Sequence, residues 1–380
     1  MIKGFKIRIY PTKEQEQMMW QHIGATRWIY NFMLAEQIRR HENGEKHMSA
    51  FDMNKHVTQL KRVPEFAWLS SISAHTLYRA CADLSNAYNG FFAKRSRFPK
   101  FKSRKHAKPA FPLCDTAGKV WFSEKTVHLP MIGNVKYKTD HKLPFGRGCK
   151  FINPRIAFVR EKWILSFGME CENQARVLND FSMGIDIGIK ETMVVAYGDK
   201  QLVFHNINKS QTMRSLEAKK RRLQRSISRK YEANKVGKRY VKTNNIARAE
   251  AKLRKVIARQ ANIRLNYIHR CTHVLVSLLP KQVVMEDLNV KGMMRNRHLA
   301  RAIQEQCFYE IYRQMKYKCE WNGILFVTAD RFYPSSKTCS NCGCVHTGLK
   351  LSDRTFVCPE CGFIIDRDYQ AALNLMRYAA

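Results

Sequence analysis

Two cysteine pairs late in the chain limit what it can fold into more than any other feature. Cys339-Ser340-Asn341-Cys342 and Cys358-Pro359-Glu360-Cys361 spell C-x2-C-x15-C-x2-C. Each pair fits a tight turn that aims both sulfurs at one ion, and four thiolates complete the tetrahedron of a structural Zn2+ site. Gly343 and Gly362 directly follow the pairs, where the turn needs backbone freedom. A redox dithiol or unrelated free cysteines are the alternatives; two matched pairs in one short segment favour a zinc ribbon. Cys344 falls outside the spacing. Four sulfurs close the coordination shell, so the zinc is expected to be structural and not catalytic. The remaining cysteines, from Cys81 to Cys344, are scattered, as suits small buried apolar residues in a reducing compartment.

Three carboxylates stand out next. In Met183-Gly184-Ile185-Asp186-Ile187-Gly188 an acid lies between isoleucines of a core strand. Strand alternation puts Asp186 on the opposite face from Ile185 and Ile187, and its burial is costly without a cation or partner. Gly184 and Gly188 leave room for a backbone or ligand to approach. Val283-Val284-Met285-Glu286-Asp287 ends a second apolar strand in acid, and Ile365-Asp366-Arg367-Asp368 opens a helix with an acidic pair. Each has a plain structural explanation: a turn former, half of an ion pair, or an N-cap at Asp366 or Asp368. Together, on an α/β core in a very basic chain, they imply a phosphodiester site with two Mg2+ ions about 4 Å apart.

The charge supports that direction. Lys and Arg number 67 against 31 acidic residues, a formal net charge of +36. Such a chain repels itself unless it meets a polyanion, usually nucleic acid. The excess is spread along the chain instead of sitting on one amphipathic helix, which disfavours a membrane surface as the partner. No apolar run approaches the roughly 20 residues of a membrane helix. The opening Met1-Ile2-Lys3-Gly4-Phe5-Lys6 lacks the continuous apolar region of a secretory signal, so an intracellular protein is expected. The densest cationic stretch, 211–279, reads as helical and carries Arg221, Arg222, Arg225, Lys230, Lys238 and Arg239 among few acids. A phosphate-tracking surface explains it better than a merely solvated face.

The rest of the pattern gives the organisation. Residues 2–10 alternate as a strand that Pro11 ends, and Thr12-Lys13-Glu14-Gln15 is a capping box opening a helix. Helical patterning runs to about 100, broken near Asn43-Gly44 and Pro64, with Leu77, Cys81, Leu84, Tyr88 and Phe91 as a core-facing stripe. Short β runs at 119–122, 135–137 and 162–167 suggest a small antiparallel domain that the first strand joins, leaving the helices as an insertion. Strands within 183–197, 282–285 and 324–328 then alternate with helices at 211–279 and 300–321, and a short helix begins near 368, which indicates an α/β core.

In order along the chain, these motifs resemble the TnpB family, insertion-sequence proteins related to type V CRISPR effectors. Phe5-Lys6-Ile7-Arg8-Ile9-Tyr10-Pro11-Thr12 resembles the family's opening strand, and Phe98-Pro99-Lys100-Phe101-Lys102 its basic middle motif. Gly184-Ile185-Asp186-Ile187-Gly188 and Met285-Glu286-Asp287-Leu288 resemble its first and second RuvC motifs. Ser335-Ser336-Lys337-Thr338-Cys339 is similar to the segment entering its ribbon.

The resemblance implies a multidomain α+β protein. A β-barrel-like wedge domain (1–11 and 98–177) would hold an inserted helical recognition lobe (12–97). A RuvC-like, RNase H-like α/β domain (178–334 and 364–380) would follow, with the zinc ribbon (335–363) inserted. Asp186, Glu286 and Asp368 would be catalytic and bind Mg2+, with Asp366 as the fallback third ligand. The family's Asp-x-Asn-Ala-Ala reads here Asp368-Tyr369-Gln370-Ala371-Ala372, so Gln370 is a departure. A guide RNA from the transposon end would direct cleavage of double-stranded DNA beside a short adjacent motif. The protein would be monomeric in that complex and act in the prokaryotic cytoplasm, associated with the nucleoid. An RNA-guided repressor lacking the acids and a cut-and-paste transposase are the competing readings. All three acids are present, and their Asp, Glu, Asp order with a ribbon before the last fits RuvC better.

Overall fold

Alternation makes strand β1 (Ile2–Tyr10) two-faced, with Ile7 and Ile9 buried and Lys6, Arg8 and Tyr10 outward. The computed structural model describes residues 2–114, 116, 118–140, 143–146, 148–171, 176–350 and 353–378. Parts of the expected domain spans, among them 172–175 and 379–380, lie outside the described residues. The chain forms two compact units, Met1–Glu172 and Asn173–Ala380.

In the first unit the capping box is present: Thr12 and Gln15 exchange hydrogen bonds at the start of α1 (Lys13–Glu42). A second box, Ser49 with Asp52, opens α2 (Ala50–Leu60), and a 3-10 helix at Pro64–Ser71 leads to α3 (Ala74–Phe92). Leu77, Cys81, Leu84 and Tyr88 are buried as expected, in one core with Ile29, Met33, Leu34, Met53 and Val57, while Phe91 is half-buried. Six strands follow: β2 (Ala110–Pro112), β3 (Trp121–Phe122), β4 (Thr126–Leu129), β5 (Gly133–Lys138), β6 (Ile152–Val159) and β7 (Lys162–Glu170). The sheet order is β2-β6-β7-β1-β5-β4-β3. β1 pairs antiparallel with β7 from Ile2↔Glu170 to Ile9↔Trp163, and with β5 on its other side. The first strand therefore belongs to the later sheet, with the helices inserted between. The sheet curls, because Phe122 of β3 reaches Phe167 of β7, four positions away in strand order, at 5.5 Å between ring centres.

The second unit begins with the antiparallel strands β8 (Asn179–Asp186), β9 (Glu191–Tyr197) and β10 (Lys200–His205). The basic stretch follows as α4 (Gln211–Ala233), the short strands β11 (Lys235–Val236) and β12 (Arg239–Tyr240), and α5 (Asn244–Ser277). Next come β13 (Pro280–Glu286), α6 (Val290–Met293), α7 (Ala300–Gln306), α8 (Phe308–Asn322) and β14 (Leu325–Ala329). The cysteine module contributes β15 (Thr355–Val357) and β16 (Ile364–Asp366), and α9 (Arg367–Met376) ends the described chain. The main sheet runs β10-β9-β8-β13-β14, with β8, β13 and β14 parallel. One face, including Met183, Ile185, Val283 and Met285, packs on Ile268 and Leu275 of α5 and on Ile311 and Met315 of α8. The other face receives α9.

Two expectations are corrected. The basic stretch is not one helical run: Gly237, with φ +57°, turns a hairpin that carries Lys238 and Arg239 off the helices. The helix expected at 300–321 breaks at Cys307, whose left-handed φ of +57° separates α7 from α8 without a glycine or proline to announce it.

Candidate active site

β8 and β13 each end in an acid. Their register pairs Val284 with Gly184 and Met285 with Ile185, so Asp186 and Glu286 follow at the carboxyl ends of neighbouring parallel strands, where α/β sheets place ligands. α9 crosses this face directly over Gly184. A Cβ there would lie 2.1 Å from Ala372 O and 2.3 Å from Met376 N, so only glycine admits the helix. Asp186, two residues on, shares the face and lies on the side of α9, whose first turn holds Asp368.

The electrostatics tie the three acids together. The Asp186 carboxyl is raised well above the ordinary aspartate range, by burial first and then by the charges of Glu286 and Asp368, with Arg367 opposing. Burial also raises Glu286, against the Ser335 hydroxyl that donates to its Oε1. Arg367 pairs with Asp368 at 3.4 Å. Asp366 caps α9, accepting at 3.0 Å from the backbone N–H groups of both Asp368 and Tyr369. Asp366 is thus engaged as the helix cap, and Asp368 by Arg367. Asp287, beside Glu286, pairs with Arg331.

The cysteines are drawn together more tightly. The sulfurs of Cys339, Cys342, Cys358 and Cys361 all lie within 4.8 Å of one another, and among the described residues no other group of three or more His, Cys, Asp or Glu side chains converges this closely. Gly343 and Gly362 take φ of +79° and +68° immediately after the pairs, as the turns require. The Asn341 amide and the Phe363 backbone N–H hold the Cys361 thiol down to about 6, favouring the thiolate that binds metal. Phe356, fully buried, packs against Cys339 and Cys358. Cys344 stays outside the ligand set, but its carbonyl accepts from Cys339 N–H at 2.8 Å.

Gln370, singled out only as a departure from the family motif, and Asn374, which pattern reading passed over, link α9 to the root of the ribbon. Gln370 is fully buried, with its Oε1 accepting from Ser340 Oγ at 2.8 Å and its Nε2 donating to Thr338 O. Asn374, one turn on, donates to Ser335 O and Thr338 O at 2.6 Å each. Two amides four residues apart on the buried face of a helix were the available signal.

Of the six basic residues singled out, Arg221, Arg222 and Arg225 are exposed on α4, and Lys230 is half-buried there. Lys238 and Arg239 are exposed in the hairpin. Glu217 is taken up by Lys220, Arg221 and Arg301. Arg222, Arg225 and Lys230 make no ion pair among the described residues, so their charge is available to a polyanion.

Comparison with known proteins shows what this chain resembles. Residues 166–297 match the family described as "Probable transposase" (OrfB_IS605), and 308–375 match the Cas12f1-like TNB domain. Residues 1–46 match a helix-turn-helix domain (HTH_OrfB_IS605), where the structure has β1 and the single helix α1. A relative from Streptomyces pristinaespiralis, named for RNA-guided DNA endonuclease activity, is 30% identical over 98% of this chain and 88% of its own. The similarly named InsQ of Escherichia coli (strain K12) is 29% identical over 99% of this chain and 92% of its own. A Cas12f1 chain, from its complex with sgRNA and target DNA, shares the fold with a TM-score of 0.57 at 13% identity, covering 99% of this chain and 98% of that one. With 30% identity sustained along almost its whole length, the chain belongs to the TnpB family.

Proposed function

We propose that this protein is the RNA-guided DNA endonuclease of a transposable element, cutting double-stranded DNA by two-metal hydrolysis. The observation that carries this reading is the convergence of Asp186, Glu286 and Asp368 from β8, β13 and α9 onto one sheet face of a chain with net charge +36. A desolvated cluster of hard carboxylate oxygens fits Mg2+, and these three residues would hold it. Bound there, Mg2+ supplies an activated water and neutralises charge on the leaving oxygen. Arg367 partly offsets the carboxylate charge and holds Asp368 in place. The four cysteines would hold one Zn2+, which keeps the ribbon folded.

In this reading residues 1–11 and 98–177 form the wedge, 12–97 the recognition lobe, 178–334 with 364–380 the RuvC-like nuclease, and 335–363 the ribbon. Arg221, Arg222, Arg225, Lys230, Lys238 and Arg239 follow the phosphates of guide RNA or target, while base pairing with an RNA from the transposon end supplies sequence specificity. The active complex contains one copy of the protein.

Cleavage and binding of one labelled duplex, matched to the guide, test the proposal. Asp186→Ala should lose cleavage in Mg2+ by a factor of about 1,000 or more, with guide-directed binding retained. Equal cutting by variant and wild type would sink the site. Guided binding without cutting by the wild type would favour a repressor instead.

A further inference from the structure

The hydroxyl that holds Glu286 belongs to the root of the cysteine ribbon. Ser335, 3% exposed, donates to Glu286 Oε1. The backbone of this root is in turn held by α9, through the Asn374 bonds to Ser335 O and Thr338 O and the Gln370 bonds to Thr338 O and Ser340 Oγ. Lys337 and Thr338 complete a turn onto Pro334 O at 3.0 Å each. Cys339, a ribbon cysteine, stands between the two residues that Gln370 grips. Residues 335–340 are thus anchored at one end in the sulfur cluster and at the other on a carboxylate of the proposed nuclease site.

Two physical points give this arrangement consequences. Buried amides are costly unless paired, and Gln370 and Asn374 are paired to this segment, so its course is strongly specified. The terminal torsion of a glutamate is broad. A hydroxyl on Oε1 fixes the carboxylate plane and leaves Oε2 for a cation.

We propose that Ser335 is a positioning residue for Glu286, and that Gln370 and Asn374 couple it to the four-cysteine ribbon, so that a folded, zinc-filled ribbon sets the geometry of the carboxylate site. The proposal rests on the nuclease reading above. It extends that reading by giving the ribbon a part in hydrolysis through a named hydroxyl.

The test compares Ser335→Ala, Ser335→Thr and Gln370→Leu with wild type and with Asp186→Ala, all zinc-loaded and in complex with guide RNA. Zinc content, guided binding to a matched duplex, and cleavage rate against Mg2+ concentration are measured. Mn2+ affinity of the RNA-free, zinc-loaded protein is measured by calorimetry. Ser335→Ala should keep its zinc and its DNA binding, cut about 10–100-fold more slowly and need more Mg2+, with Mn2+ bound about 10-fold more weakly. Ser335→Thr, which retains the hydroxyl, should recover most of the loss, and Gln370→Leu should move the same way as Ser335→Ala. A Ser335→Ala variant with wild-type rate and Mg2+ dependence, beside an inactive Asp186→Ala, overturns the positioning role alone. Loss of zinc or of DNA binding in Ser335→Ala, without rescue by threonine, also overturns it, since the hydroxyl would then serve folding only. If Asp186→Ala cuts like wild type, the nuclease site itself is wrong; the Mn2+ titration then decides Ser335, and unchanged affinity overturns its role.

Discussion

The sulfur cluster and the carboxylate cluster lie in the same unit, a few residues apart at Ser335 and Cys339, yet they are built in opposite ways. Four sulfurs converge within 4.8 Å from two local turns, each with its own glycine. The carboxylates come from two strands and a helix that lie far apart in sequence. A closed set of thiolates suits an ion that stays, whereas spread carboxylates suit ions that share their coordination with a substrate. Local ligands make a site that folds with its metal. Distant ligands make one that depends on the packing of everything between them.

The largest effect expected from this contrast is on the ribbon. Cys358→Ser should lose zinc, and with it most of the roughly 10–16 kcal/mol that a structural zinc site contributes to local folding. Metal analysis and hydrogen exchange over 335–366 would show this; full zinc content would break the comparison at its simpler end. Gly184→Ala should do the reverse. Its Cβ would collide with α9 backbone at 2.1 Å, costing about 3 kcal/mol or more and cleavage activity, while zinc content stays unchanged. Thermal unfolding beside zinc analysis checks both halves of that statement.

The smallest effect serves as a control away from both sites. Burial would raise the Glu217 carboxyl, but hydrogen bonds from Lys220 and Gln260 and the charges of Lys220 and Arg301 hold it down, to about 2. Because the folded value lies below the unfolded 4.5, its stabilisation is fully present above about pH 4.5 and is lost as pH falls through 2. Glu217→Gln should therefore destabilise at pH 7 by about 1–2 kcal/mol, discounted because the side chain keeps 19% of its surface in solvent. The difference from wild type should shrink towards pH 2, with zinc binding unaffected. A pH-independent difference would point to lost packing instead.

The contrast also explains what could be read from sequence. The cysteine pairs were legible because their geometry is local and spacing alone encodes it. Asp186 and Glu286 were legible because alternation and an apolar strand ending in acid are periodic signals. Which of Asp366 and Asp368 caps the helix was not, since either could; the structure puts Asp366 in the cap, bonded to two backbone amides. Ser335 lay inside a motif that entered the ribbon, but nothing local could show that its hydroxyl meets Glu286, 49 residues away. The curled first sheet was foreseen only in outline, because strand order depends on pairings between distant segments. The hairpin at Gly237 and the left-handed Cys307 were missed, the first hidden in a run of charge and the second carried by a residue that seldom takes that conformation.

The place of β1 in its sheet has a consequence for synthesis. The strand pairs with β7, whose residues are made about 160 positions later. At ribosomal rates of about 5–20 residues per second, it waits roughly ten to thirty seconds for its partner. Meanwhile α1, α2 and α3, which share a core of their own, can collapse on nearby contacts, which form faster than distant ones. Until β5 and then β7 are made, β1 is an unpaired, half-apolar ribbon of the kind that aggregates between chains. Lys6 and Arg8, alternating with Phe5, Ile7 and Ile9, put like charges on the outward face of every nascent copy, which opposes pairing with its neighbour on the polysome.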